Sequence, residues 1–226
     1  MNKITLCITM GRRPELLKQT LSSLLSQSVF EHIIAINDFR DEATNKVFKA
    51  MCPEGELISL DRQLGHHAAV DHMYQRVKTD WIFHTEDDWS FEKPLDFELL
   101  IEVLNAESWM SGICMRQLSD FILTAKDEQK VLYEKYKGLD FYRLDPIHTQ
   151  WHGYSFNPHL THKNLWRMVG PFSRFKKERH ISRFIRQKGL IMPYWVDGGC
   201  SHLGADCSVS YPVQIKKSFI KQWFSL

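Results

Sequence analysis

The chain has 226 residues, 43% of them hydrophobic and 25% charged, with a formal net charge of +2. That length and apolar content suffice for a sizeable core, and the charge content argues against a disordered chain. A balance so close to neutral gives no overall electrostatic footprint for nucleic acid, and no nucleic-acid partner is expected.

In chain order, Ile4 to Met10 reads as a buried strand, and Gly11-Arg12-Arg13-Pro14 as a turn with Pro14 in the first turn of a helix. Leu16, Leu17, Leu21, Leu24 and Leu25 stack on one face of that helix. His32 to Asn37 is a second strand, closed by Asn37-Asp38, and Leu57 to Leu60 a short third one. Gly65 precedes a helix over His66 to Val77, after which Trp81-Ile82-Phe83 forms a strand running into Glu86. Leu95 to Leu104 reads as a helix and Gly112 to Arg116 as a strand. The alternation predicts an α/β fold with a mostly parallel, Rossmann-like central sheet flanked by helices.

Beyond Ala125 the pattern weakens. Asp127 to Lys137 reads as a loop or exposed helix, and Tyr154 to Asn157 as a strand end. Lys163 to Val169 and Lys177 to Gln187 read as helices, the second capped by Gly189, and Leu190 to Val196 as a late strand. No linker or repeat interrupts the sequence, so residues 1–226 are expected to form one domain. Cys7, Cys52, Cys114, Cys200 and Cys207 are an odd set without CxxC spacing, which points to a reducing compartment. No apolar run approaches the ~20 residues that span a bilayer, and the expectation is a cytoplasmic protein. Charge is unevenly spread. Between Lys163 and Lys188 nine basic residues face one acid, Glu178, and Lys216, Lys217 and Lys221 follow beside Phe219, Trp223 and Phe224. Such a region suits anionic phosphates or peripheral membrane association.

The stretch Trp81-Ile82-Phe83-His84-Thr85-Glu86-Asp87-Asp88-Trp89 carries the most chemistry. A buried strand ending in three carboxylates concentrates negative charge at the carboxyl edge of a sheet, where open α/β sheets bind ligands. Carboxylates so placed repel one another unless solvated or bridged, and hard divalent cations prefer carboxylate oxygen.

Several features in order resemble inverting glycosyltransferases of the GT-A fold, closest to family 2. They are the opening strand, Arg13-Pro14-Glu15-Leu16-Leu17 at a helix start, Asn37-Asp38, the series Gly65, Ala69, Asp71, and Glu86-Asp87-Asp88 in place of the family's DXD motif. Two positions depart from the pattern: Glu86 stands at the usual first Asp, and Asp71 replaces the usual Asn. The resemblance implies a nucleotide-sugar-binding half over 1–118 and an acceptor-binding half over 119–226. It implies metal-dependent transfer, with Mn2+ or Mg2+, from a nucleoside-diphosphate sugar to a hydroxyl of a glycan or lipid-linked acceptor. Asp88 would ligate the metal, with His202 returning to it from the loop Gly198 to Gly204. Glu86 or Asp87 would hold the ribose and Asp38 the base. Thr9, Gly11, Arg13 and Gly65 would line the nucleotide pocket, Arg62 would reach the phosphates, and Asn157 would stand near the donor-sugar and acceptor pocket. The general base implied is Glu178, which follows Gly170-Pro171-Phe172 and opens a helix; Asp197 is the next choice. Two other readings compete: a sugar-nucleotide or glycan-binding module without turnover, and a nucleotidyltransferase. The second normally carries a glycine- and lysine-rich loop after its first strand, whereas this chain has only Met10-Gly11-Arg12-Arg13.

Overall fold

A computed structural model describes residues 2–203. Cys207 and the basic and aromatic residues from Lys216 to Phe224 lie outside the described residues. The first strand, β1 (Ile4–Met10), is buried along its whole length, as a strand covered on both faces must be. It lies between β2 (His32–Asn37) and β4 (Trp81–Glu86), parallel to both, and β3 (Glu56–Ile58) extends the sheet beside β2. Helix α1 (Pro14–Leu25) turns Leu17, Leu21 and Leu24 into the core, with Pro14 at its first position. Leu16 and Leu25 flank that face half-buried.

One element escaped the sequence reading. Helix α2 (Glu42–Met51) connects β2 to β3, capped by the Asp41 carboxylate, which accepts from the Thr44 amide at 2.9 Å. Helix α3 (His66–Arg76) then leads to β4. Past the carboxylates, β5 (Trp89–Phe91) leaves the main sheet, followed by α4 (Phe97–Ala106) and β6 (Ile113–Cys114).

The second half builds the other wing of the sheet. The segment left as loop or exposed helix is a single helical turn, α5 (Ala125–Glu128), followed by β7 (Leu132–Tyr136), which forms a hairpin with β8 (Leu139–Arg143). Tyr154 to Asn157 is irregular backbone, and the strand starts later, at β9 (His159–His162). Helices α6 (Lys163–Val169) and α7 (Glu178–Gln187) lie where the sequence places them. The late strand shrinks to β10 (Tyr194–Trp195), and β11 (Cys200–His202) closes the described chain. The nine strands of the main sheet run in the order β3-β2-β1-β4-β9-β6-β10-β8-β7. Only β9 and β8 oppose the rest. The fold is thus the mostly parallel α/β sheet expected, with an antiparallel wing that the hydrophobic pattern did not announce.

Two contacts position the second half of the chain: one ties it to α3, the other is internal to it. Asp71 on α3 is buried, and its carboxylate accepts from Trp166 Nε1 at 2.8 Å, Phe172 N at 2.7 Å and Ser173 N at 2.8 Å. A carboxylate can take all three donors; an Asn would turn an NH2 group towards one of them. The departure from the family pattern is therefore a structural anchor for the turn that leads into α7. The second contact is a close approach. Gly153 N donates to Ser182 Oγ at 2.8 Å, and a Cβ on Gly153 would lie 2.3 Å from the Ser182 carbonyl oxygen. Only glycine lets this segment lie against α7.

Asp71→Ala is expected to leave three buried or part-buried N–H donors without their acceptor. The cost should be about 3 kcal/mol, read as a melting temperature lower by about 6–12 °C for a chain of this size. A variant melting within a degree of wild type would show that the anchor contributes nothing.

Candidate functional site

The site sits at the carboxyl ends of β1 and β4, where Thr9 pairs in register with Glu86. Three structural facts fix the acidic cluster. Asp87 is fully buried, accepts from the Gly11 amide at 2.8 Å and pairs with Arg13. Asp88 pairs with the other guanidinium nitrogen of Arg13. His202 Nε2 lies 3.1 Å from the same Asp88 oxygen, Oδ2. Arg13 therefore grips both aspartates through one planar fork, a geometry suited to guanidinium and not to lysine. Gly11 is required for this packing, since a Cβ there would lie 2.3 Å from the Phe39 ring.

His202 reaches the cluster because β11 pairs antiparallel with β5, setting His202 opposite Trp89 and Cys200 opposite Phe91. The Leu203 amide donates to the Asp88 carbonyl at 2.8 Å, and the His202 ring packs on Trp89 at 4.8 Å between centroids. The Trp89–Phe91 strand that makes this possible was not read from the sequence.

The electrostatics follow from packing like charges in a desolvated corner. Burial first, then Asp88, Glu178 and Asp87, push the Glu86 carboxyl up to about 8, against the pull of Arg13. Burial lifts Asp87 to about 6 although Arg13 and the Gly11 amide oppose it. Burial depresses the Arg13 guanidinium, but Asp87 and Asp88 outweigh it and the net shift is upward. Asp88 Oδ1 is buried and has no hydrogen-bond partner among the described residues. An orphaned carboxylate oxygen, on a side chain whose other oxygen meets a histidine nitrogen, in a cluster with excess negative charge, fits a divalent cation. Among the described residues no group of three or more His, Cys, Asp or Glu side chains converges as a closed metal cage. Such a pair suits an ion that takes its remaining ligands from water and a substrate phosphate.

Two cavities flank the cluster. The first, about 170 Å³, is walled by Thr9, Gly11, Ile36, Asp38, His66 and Glu86, among others. Its Asp38 is not simply held for a nucleobase: its two carboxylate oxygens accept from the Leu64 and Gly65 amides at 2.7 and 2.9 Å. Asp38 and Gly65 thus act together, as the brace of the loop entering α3. Burial, then His67, lower the His66 ring to about 4, so it faces this cavity neutral.

The second cavity, about 430 Å³, is walled by Glu178, Arg116, Trp151, His152, Tyr154 and Tyr194, with Asn157 and Ser155 at its rim. Glu178 opens α7, and its Oε1 accepts from the Phe156 amide at 3.3 Å. Burial raises the Glu178 carboxyl, against hydrogen bonds from Ser155 and Phe156 and the charge of Arg116.

Not every expected site lies at these two cavities. Asn157 stands with Glu178 in the second cavity and accepts from Arg116 Nη1 at 3.2 Å. Arg13 and Asp87 pair with each other and wall the first cavity together with Asp38 and Glu86. Arg62 is exposed and walls neither cavity. Asp197 is 69% exposed and 3.8 Å from Lys93, away from both. Arg116, Trp151, His152 and Tyr194 were missed, because an arginine after a two-residue strand and scattered aromatics carry no periodic signal.

The profile described as glycosyl transferase family 2 matches residues 5–178. The chain belongs to that family. Its fold is that of the GT-A glycosyltransferases. The mannosyltransferase PcManGT from Pyrobaculum calidifontis, in complex with GDP-Man and Mn2+, superposes with a TM-score of 0.66 at 10% identity, over 91% of this chain and 58% of that one. GalNAc-T7 with UDP, GalNAc and Mn2+ superposes with a TM-score of 0.64 at 12% identity, over 89% and 44%. This chain therefore matches about half the length of either protein. No curated protein sequence matches it.

The raised carboxyl of Glu86 has a stability consequence. Its ordinary value is 4.5 and its folded value about 8, so between them the folded state binds more protons than the unfolded. Stability from this group then falls as pH rises through that window. In chelator-treated buffer Glu86→Gln is expected to melt a few degrees above wild type at pH 8 and level with it near pH 4.5. An identical difference at both values would remove the assignment.

Proposed function

We propose that this protein transfers a glycosyl group from a nucleoside-diphosphate sugar to a hydroxyl acceptor with inversion at the anomeric carbon. The observation that carries this reading is the pairing of the orphaned Asp88 carboxylate, joined to His202, with a separate cavity ending at Glu178. The first cavity would take the nucleotide, using Thr9, the Gly11 backbone and Glu86, in keeping with the GDP-Man and UDP carried by the two GT-A proteins. Asp88 and His202 would hold a Mn2+ or Mg2+ ion. When bound, that ion would supply Lewis-acid stabilisation of the leaving diphosphate.

The second cavity would take the acceptor, so that residues 1–118 serve mainly the donor and 119–226 mainly the acceptor. Glu178 accepts the proton of the acceptor hydroxyl as its oxygen bonds to the anomeric carbon and the bond to the diphosphate breaks. A raised carboxyl suits this role, since burial makes the carboxylate a stronger base. The aromatic walls suit a glycan ring or the glycan end of a lipid-linked acceptor.

Calorimetric titration of GDP or UDP is expected to show tighter binding with Mn2+ than without. Asp88→Ala should remove that gain, and His202→Ala should reduce it. Equal binding with and without the ion would defeat the metal assignment. With a donor and acceptor in hand, Glu178→Gln should lower kcat roughly 10²–10⁴-fold while leaving nucleotide affinity in place. The acid limb of the kcat profile should lie above the ~4.3 of an unperturbed glutamate, because burial favours the protonated form. Near-full turnover of Glu178→Gln would reassign the base.

A further inference from the structure

The cations of α6, α7 and the turn between them are not used by the site. Arg167, Arg174, Lys176, Lys177, Arg179 and Arg183 are all exposed. Among the described residues none of them forms an ion pair with a carboxylate. The one acid of this region, Glu178, turns inwards to the second cavity. Two other basic residues are set apart: Lys163 is buried with its ammonium on the Val77 carbonyl, and Arg186 is bound to the carbonyls of His148 and Trp151.

The exposed cations do not stand on a purely polar surface. Arg174 lies 4.7 Å from the ring centres of both Phe175 and Phe184, and Lys188 Nζ lies 5.6 Å from Phe184. Met168 is 46% exposed on α6. Arg179 and Arg183 are one helical turn apart and share a face. Since the whole chain carries only +2, the remainder is net negative and the molecule is strongly polarised. Residues 204–226 contain Lys216, Lys217 and Lys221 against Asp206 alone, so they bring no neutralising charge.

Exposed arginine and lysine beside apolar side chains along α6, α7 and the turn between them match the charge and the interfacial layer of an anionic bilayer. We propose that the α6–α7 face docks this protein on an anionic membrane surface. The patch adjoins the site: Lys176 shares a cavity wall with His66, which also walls the nucleotide cavity, and Glu178 opens α7 itself. Docking there sets the rim of both cavities beside the lipid headgroups, where a lipid-linked acceptor would present its glycan. That last step rests on the function proposed above; the docking itself does not.

The test is flotation of the full chain with vesicles of phosphatidylcholine alone or mixed with phosphatidylglycerol. Binding is expected to the mixed vesicles only, and to be lost at high salt as the Debye length shrinks. Arg179→Glu/Arg183→Glu should reduce it by about tenfold or more. Lys18→Glu/Lys46→Glu, the same change in net charge on α1 and α2, should retain it. The milder Arg167→Gln/Arg183→Gln pair serves if the first variant loses its near-UV circular dichroism, and should weaken binding in the same direction. Equal binding by patch and control variants, equal binding to neutral vesicles, no binding, or tighter binding to duplex RNA would each overturn the proposal. Nucleotide titration of the same variants should be unchanged, so failure of docking and failure of the donor site are separately visible.

Discussion

One guanidinium holds the centre of this protein together. Arg13 stands just before the first residue of α1, and its two terminal nitrogens reach Asp87 and Asp88 at the end of β4. Three consecutive carboxylates in a desolvated corner are unstable alone, because each desolvated charge costs several kcal/mol unless paired. The pairing also has a mechanical effect. It fixes the loop after β1 against the loop after β4, so the floor of the first cavity is held by charge from two separate strands. With Asp87 held in that role, Glu86 walls the first cavity and Asp88 keeps one buried oxygen without a hydrogen-bond partner among the described residues.

Division of labour among similar carboxylates recurs across the site. Asp38 braces the entry to α3, Asp71 braces the turn before α7, and Asp87 braces the β1 loop, each through backbone amides. Glu86, Asp88 and Glu178 differ in having less complete local satisfaction and in facing cavities or one another. The environment, and not the residue type, separates the bracing acids from those proposed above to be reactive. Asp71 shows how the two sets are coupled, since the turn it secures delivers Glu178 to the second cavity.

The first half of the chain was legible because its strands are long, buried and separated by clean helical periods. β1 carries seven buried residues in a row, and the acids after β4 break a continuous apolar run. Helix α2 was missed although Asp41 is a good cap, because polar residues dilute its short apolar face of Val47, Phe48 and Met51. The antiparallel wing was hidden for a different reason. Strands of two residues, such as β6 and β10, have no periodicity to detect, and their pairing is decided by neighbours far along the chain. The same limit applies to individual roles. A motif marks where acids cluster, but only the hydrogen bonds reveal that Arg13 and Asp87 satisfy each other and that Asn157 belongs to the glutamate cavity.

The β5–β11 ribbon gives the site an order of assembly. Asp88 and Glu178, the base proposed above, both precede the Gly198-Gly199 crossing, whereas His202 follows it and comes to Asp88 only when the two short strands zip together. A chain emerging from the ribosome would therefore possess its acids, its arginine clamp and its acceptor wall while still lacking the imidazole. On the reading proposed above, the histidine that would join Asp88 at a cation is the last of these groups to be placed.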